Sequence, residues 1–122
     1  TLSSYFLVEA TPRPGHTVDE LRTIIDEEIA KLQQNGPTAH ELERSVNQIE
    51  SSFYDRMERL GGEHGGKADE LNAYFIRTGD PDWFNEDLAR YRALSTSDIQ
   101  AAAQTYLPAD RRVEITVVPE GK

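Results

Sequence analysis

Two short apolar segments of alternating character stand at the extremities of the chain, Tyr5-Phe6-Leu7-Val8-Glu9-Ala10 and Val113-Glu114-Ile115-Thr116-Val117-Val118, and helical periodicity fills the interval between them. Each extremity is predicted to be a β-strand. Two strands alone make a sheet that is marginal in water, and both would carry open edges of unpaired backbone groups. The pattern therefore predicts an α+β fold, a two-layer α/β sandwich whose helices cover one face of a partial sheet, in the order β-α-α-α-α-α-β. Residues 1–122 are expected to form a single partial domain.

The helical interval is punctuated by strong local signals. Thr11-Pro12-Arg13-Pro14-Gly15 stops strand pairing, because proline lacks a backbone donor. Thr17 followed by Glu20 has capping-box spacing and predicts a helix to about Gln34, with Leu21, Ile24, Ile25, Ile29 and Leu32 on one face. Asn35-Gly36-Pro37 ends it. Thr38 and Glu41 repeat the box and open a long helix whose Leu42, Val46, Ile49, Phe53, Met57 and Leu60 form a coiled-coil-like seam, read here as core. The glycine-rich Gly61-Gly62-Glu63-His64-Gly65-Gly66 predicts a loop or hinge. A helix over about Ala68–Arg77 should turn Leu71, Tyr74 and Phe75 inward and end at Gly79. Asp80-Pro81 predicts an immediate restart, with Trp83, Phe84, Leu88 and Tyr91 as the aromatic core. Ser95 with Asp98 opens a last helix that should bury Ile99, Ala102, Ala103, Tyr106 and Leu107 before Pro108 stops it.

Composition narrows the function classes. With 37% apolar and 29% charged residues the chain has the make-up of a globular protein rather than a disordered one. No apolar run approaches the roughly 20 residues that a membrane span needs. The absence of cysteine removes disulfides and thiolate metal sites. A net charge of −9 opposes a phosphate backbone, so nucleic acid is not an expected partner. The acidity is chiefly a solubility device, and the compartment, periplasmic or cytoplasmic in a bacterial protein, is left open.

Candidate chemistry begins with the three histidines, His16, His40 and His64. Neither H-E-x-x-H nor H-x-x-E-H occurs, so no helical zinc motif is present. Glu41 beside His40 is already explained by capping. Glu63-His64 lies between paired glycines, yet no second ligand is recognisable nearby. Asp80, Asp82, Glu86 and Asp87 lack the twelve-residue calcium-loop pattern and read as helix-start charges. Neither a nucleophile elbow nor a phosphate loop is found, and a hydrolase built on clustered carboxylates would need a concave pocket holding acids together. No catalytic, cofactor-binding or metal-ligating residue is assigned.

The order of pieces nevertheless resembles one family. Thr17-Val18-Asp19-Glu20-Leu21, then Gly36-Pro37-Thr38-Ala39-His40-Glu41-Leu42-Glu43-Arg44, then Leu71-Asn72-Ala73-Tyr74-Phe75, then the Gly79–Leu94 stretch, Asp98-Ile99, Tyr106-Leu107 and Pro119 together are similar to the insulinase/pitrilysin zinc metallopeptidases. The resemblance spans nearly the whole chain. It implies the C-terminal half of a non-catalytic domain, with zinc held elsewhere in the parent enzyme and the remaining domains and a peptide substrate as partners. The competing expectation is a free-standing interaction module that uses the helical seam or the strand edges. Association of the chain with itself through those edges is also expected.

Overall fold

The computed structural model describes residues 5–61 and 65–117, and it shows five α-helices: α1 (Val18–Asn35), α2 (Ala39–Glu58), α3 (Lys67–Thr78), α4 (Phe84–Arg92) and α5 (Thr96–Tyr106). Among the described residues there is no strand, which overturns the predicted α+β sandwich. The physical reason is pairing. Strand-forming side chains at 5–10 and 113–117 supply propensity, but a ladder also needs a second backbone in register, and neither segment meets one. Val118 and Pro119 lie outside the described residues, as do Glu63 and His64.

The chain divides into two compact units, one of residues 1–35 with 100–122 and the other of residues 36–99. The division falls within α5. In the second unit, α2 starts where Thr38 Oγ1 accepts the Glu41 N–H at 3.2 Å while the Glu41 carboxylate accepts the Thr38 N–H at 2.8 Å. That reciprocal box matches the expectation from sequence. α3 ends at Gly79, whose φ of 80° is open to glycine and whose N–H reaches the Phe75 carbonyl at 2.9 Å.

Between α2 and α3 the backbone closes on itself. Lys67 and Ala68 donate their N–H groups to the carbonyls of Arg59 and Leu60, so the start of α3 satisfies the end of α2. Gly66 sits inside this closure. A Cβ there would lie 2.7 Å from the Arg59 carbonyl oxygen, a separation no side chain tolerates.

The core of the second unit is Phe53, Tyr74 and Leu88, one residue from each of α2, α3 and α4, with Ile49, Trp83, Phe84 and Tyr91 packed around them. Phe53 meets the Phe84 ring at 5.4 Å between centroids and the Tyr91 ring at 5.7 Å, tilted and edge-on. The predicted aromatic face is therefore real. Five inward assignments are not: Ile24, Leu60, Phe75, Ala102 and Tyr106 are exposed, because the observed faces of α1, α3 and α5 are narrower than the apolar residues available and Leu60 lies beyond the end of α2. The predicted restart at Asp80-Pro81 is also displaced. Asp80 Oδ1 accepts the Asp82 N–H at 2.9 Å in a local turn, and α4 begins only at Phe84.

The first unit is held differently. Ala103 is its one buried apolar residue among those described. Its helices are joined by glutamine amides at their C-terminal ends, where neither helix carries a basic residue. Gln33 Nε2 donates to the Leu107 carbonyl at 2.8 Å, while Gln104 and Gln100 donate back to the carbonyls of Gln33 and Gln34 at 2.7 Å each. The last turns of α1 and α5 thus satisfy each other's orphan carbonyls.

Leu88→Ala, at a position 3% exposed, is expected to cost about 2–5 kcal/mol. Leu60→Ala, at 84% exposed, is expected to stay within about 0.5 kcal/mol of the parent chain. Urea unfolding followed by Trp83 fluorescence checks both values, and equal losses would contradict this placement of the core.

Candidate functional site

Two of the three histidine candidates, His16 and His40, lie among the described residues. His16 Nδ1 lies 3.3 Å from Glu20 Oε2, and Glu20 also accepts the Thr17 N–H at 2.8 Å in the capping box that opens α1. His40 stands on the first turn of α2 and borders a shallow cleft with Glu43, Arg44, Asn47, Gln48 and Ser51. Among the described residues, no three His, Cys, Asp or Glu side chains come together to hold a metal ion.

A second shallow cleft, of about 190 Å³, lies along α2 between Ser52, Asp55, Arg56, Arg59 and Gly65. Among the described residues, the first cleft is lined by the carboxylate Glu43 and the second by Asp55. Arg56 lies 4.9 Å over the Phe53 ring, and its Nε is 2.8 Å from Glu70 Oε1. That approach lies off the N–H axis, so the buried Nε proton has no hydrogen-bond acceptor and the pair acts as an ionic contact. The acidic run after α3 is likewise spent on structure. Asp80 turns the chain, and Asp87 Oδ2 accepts the Tyr74 hydroxyl at 3.0 Å.

Several polar clusters have no counterpart in the sequence reading. Arg112 forms a fork on Asp26 of α1, across 86 residues of chain, and its Nη2 lies 2.9 Å from Glu114. Glu114 also reaches Arg22 Nε at 3.3 Å. In the second unit Arg92 of α4 forms a comparable pair with Glu50 of α2. No periodicity exposes such pairs, since each partner alone is an ordinary surface charge.

The ionisable groups divide by cause. The Arg112 hydrogen bond holds Asp26 below its ordinary range, the Thr38 N–H does the same for Glu41, and the Ser95 hydroxyl for Asp98. Burial, followed by the hydrogen bond to Asp87, pushes the Tyr74 hydroxyl up to about 12. A phenol so placed stays neutral at any physiological pH and serves as a hydrogen-bond donor rather than a base.

No helix among the described residues is long and apolar enough to cross a membrane. Comparisons with protein-family models, with curated proteins and with solved structures return no match.

Two pH responses follow. Asp26, Glu41 and Asp98 bind protons less readily folded than unfolded, so their stabilisation is present above the ordinary carboxylate range of about 4 and is lost as pH falls through the lower folded values. Thermal melts between pH 6 and pH 2 should show a falling Tm, less steeply in Asp98→Asn. Tyr74 has the opposite sign: its stabilisation is complete below about 10 and fades as pH rises toward about 12. Ultraviolet phenolate titration should find one late tyrosine that disappears in Tyr74→Phe, and a single transition common to all tyrosines would contradict the buried hydroxyl.

Proposed function

We propose that this chain is a non-catalytic scaffold portion of an insulinase/pitrilysin-type zinc metallopeptidase and helps wall the chamber in which peptide substrate is held. The observation that carries the reading is the order of its motifs, from Thr17–Leu21 through Gly36–Arg44 and Gly79–Leu94 to Asp98-Ile99. Support also comes from how little the first unit buries, since a body with Ala103 as its buried apolar residue gains by packing against other parts of an assembly.

The chemistry of such an enzyme is peptide hydrolysis at zinc, which lowers the pKa of a bound water and polarises the scissile carbonyl. This chain contributes shape and surface to it. The Phe53 cluster keeps α2, α3 and α4 in register, and the boxes at Thr17, Thr38 and Ser95 fix where α1, α2 and α5 start. The remaining domains of the peptidase are the partners this reading requires.

A second reading, a free-standing interaction module, is favoured by the exposure of Tyr5, Phe6, Leu7 and Val8. The seam along α2 is the weaker candidate for that module, because Phe53 and Ile49 are already committed to the core.

The purified chain, incubated with zinc and an internally quenched peptide, is expected to show no turnover above the blank. Turnover that zinc restores after chelation would overturn the scaffold reading. The continuous reading frame that encodes the chain is expected to carry H-x-x-E-H in another domain, and a frame without it would favour the interaction module.

A further inference from the structure

The chain has four asparagines, and one of them is followed by glycine. Asn47, Asn72 and Asn85 stand within α2, α3 and α4 and precede Gln48, Ala73 and Glu86. Asn35 is the last residue of α1 and precedes Gly36, whose φ is 67°. All four side chains are exposed, so water reaches each alike and the local backbone decides which can react. A helix end frays more readily than a helix interior, and a glycine nitrogen can approach a neighbouring carbon with no Cβ in the way.

We propose that Asn35 is a site of spontaneous deamidation, through which the folded chain acquires a new carboxylate and, in part, an isoaspartyl linkage. The Gly36 nitrogen gives its proton to hydroxide or a buffer base and forms a bond to Asn35 Cγ. The Cγ–Nδ2 bond then breaks and, with a proton returned from solvent, ammonia leaves. Water opens the resulting succinimide. Cleavage of the ring nitrogen from Cγ gives aspartate, whereas cleavage from the main-chain carbon gives isoaspartate, whose backbone runs through Cγ and is longer by a methylene. In either case the hydroxyl of the water ends on the carboxyl carbon and its hydrogen on the Gly36 nitrogen. The net change consumes a water and releases an ammonia, with nothing oxidised or reduced.

The glutamine amides at this helix end set how fast the ring can close. Gln100 Nε2 donates to the Gln34 carbonyl at 2.7 Å and Gln104 Nε2 to the Gln33 carbonyl at 2.7 Å, so the peptide planes just before Asn35 are held. In a helical residue the following nitrogen is turned away from the side-chain carbon, and closure requires rotation about ψ of Asn35. The second unit begins at Gly36 and leads back into the first at Gln100, so that rotation alone would swing a unit joined at both ends. Once the amides let go, compensating rotations within the last turn of α1 bring the Gly36 nitrogen onto Cγ. The reaction therefore proceeds from the opened helix end, in proportion to the time it spends open. Its product works against the helix: a carboxylate at the C-terminal end of α1, where no basic residue stands in the last turn, meets the negative pole of the helix.

Trypsin places each asparagine in a separate peptide, that of Asn35 covering residues 32–44, so mass mapping reads the sites independently. In the full chain held warm at mildly alkaline pH, Asn35 should lose its amide while Asn47, Asn72 and Asn85 keep theirs. Labelling by an isoaspartyl methyltransferase should appear with time and be absent from Asn35→Gln. Gln100→Ala and Gln104→Ala should each speed the loss about two- to tenfold, the change in open population that one hydrogen bond controls. Gln33→Ala removes the bonds onto the Ala103 and Leu107 carbonyls of the α5 end and leaves those onto α1 in place, so it should speed the loss less. The aged chain should also melt below an equally aged Asn35→Gln chain.

An amide retained at Asn35 in the folded chain, while the chain unfolded in urea loses it, would overturn the proposal. So would equal loss at all four asparagines, a rate indifferent to Gln100→Ala and Gln104→Ala, or one raised as much by Gln33→Ala. The map of the unsubstituted chain stands whether or not the glutamine variants fold, which circular dichroism of the fresh variants checks. The site does not rest on the peptidase reading: a retained amide leaves the zinc assay untouched, and zinc-dependent turnover leaves the chemistry at Asn35 unchanged.

Discussion

Burial of Phe53 is the contact on which the second unit depends. Its ring lies where α2, α3 and α4 converge, against Tyr74 and Leu88 and beside Phe84 and Tyr91. The helices it joins are 20, 12 and 9 residues long, and isolated helices shorter than about 12–15 residues are marginal in water. α3 and α4 are therefore helices because they pack. The Tyr74 hydroxyl on Asp87 and the Arg92–Glu50 pair then select one arrangement of those helices among the several that apolar contact alone would allow.

What was legible in the sequence is what short spacings encode. Thr17 with Glu20, Thr38 with Glu41 and Ser95 with Asp98 are three residues apart, and each cap forms because both partners belong to the same turn of chain. The aromatic face of α4 could be read for the same reason, since Phe84, Leu88 and Tyr91 recur at helical steps. The segments at 5–10 and 113–117 were read as strands and are not, because alternation reports what a segment could do if a partner backbone were beside it. Phe75 and Tyr106 mislead similarly: an apolar residue near a buried stripe is not thereby covered. Nothing in the sequence marked Arg112 as the partner of Asp26, and no catalytic constellation was legible because the motifs that encode one do not occur.

The two units solve the same problem with different chemistry. In the second, aromatic burial dominates and polar contacts refine it. In the first, glutamine amides close the helix ends and arginine forks tie the extended segment to α1, with Ala103 as the buried apolar residue. Exposed ion pairs contribute far less than a buried aromatic side chain, because water screens them.

That asymmetry makes association part of the fold. A body whose intramolecular contacts are mostly polar and exposed gains stability from whatever covers its apolar segments, in proportion to the logarithm of partner concentration over dissociation constant. The extended segment carrying Val113, Ile115 and Val117 is held by Glu114, so its apolar stripe is presented rather than collapsed onto α1.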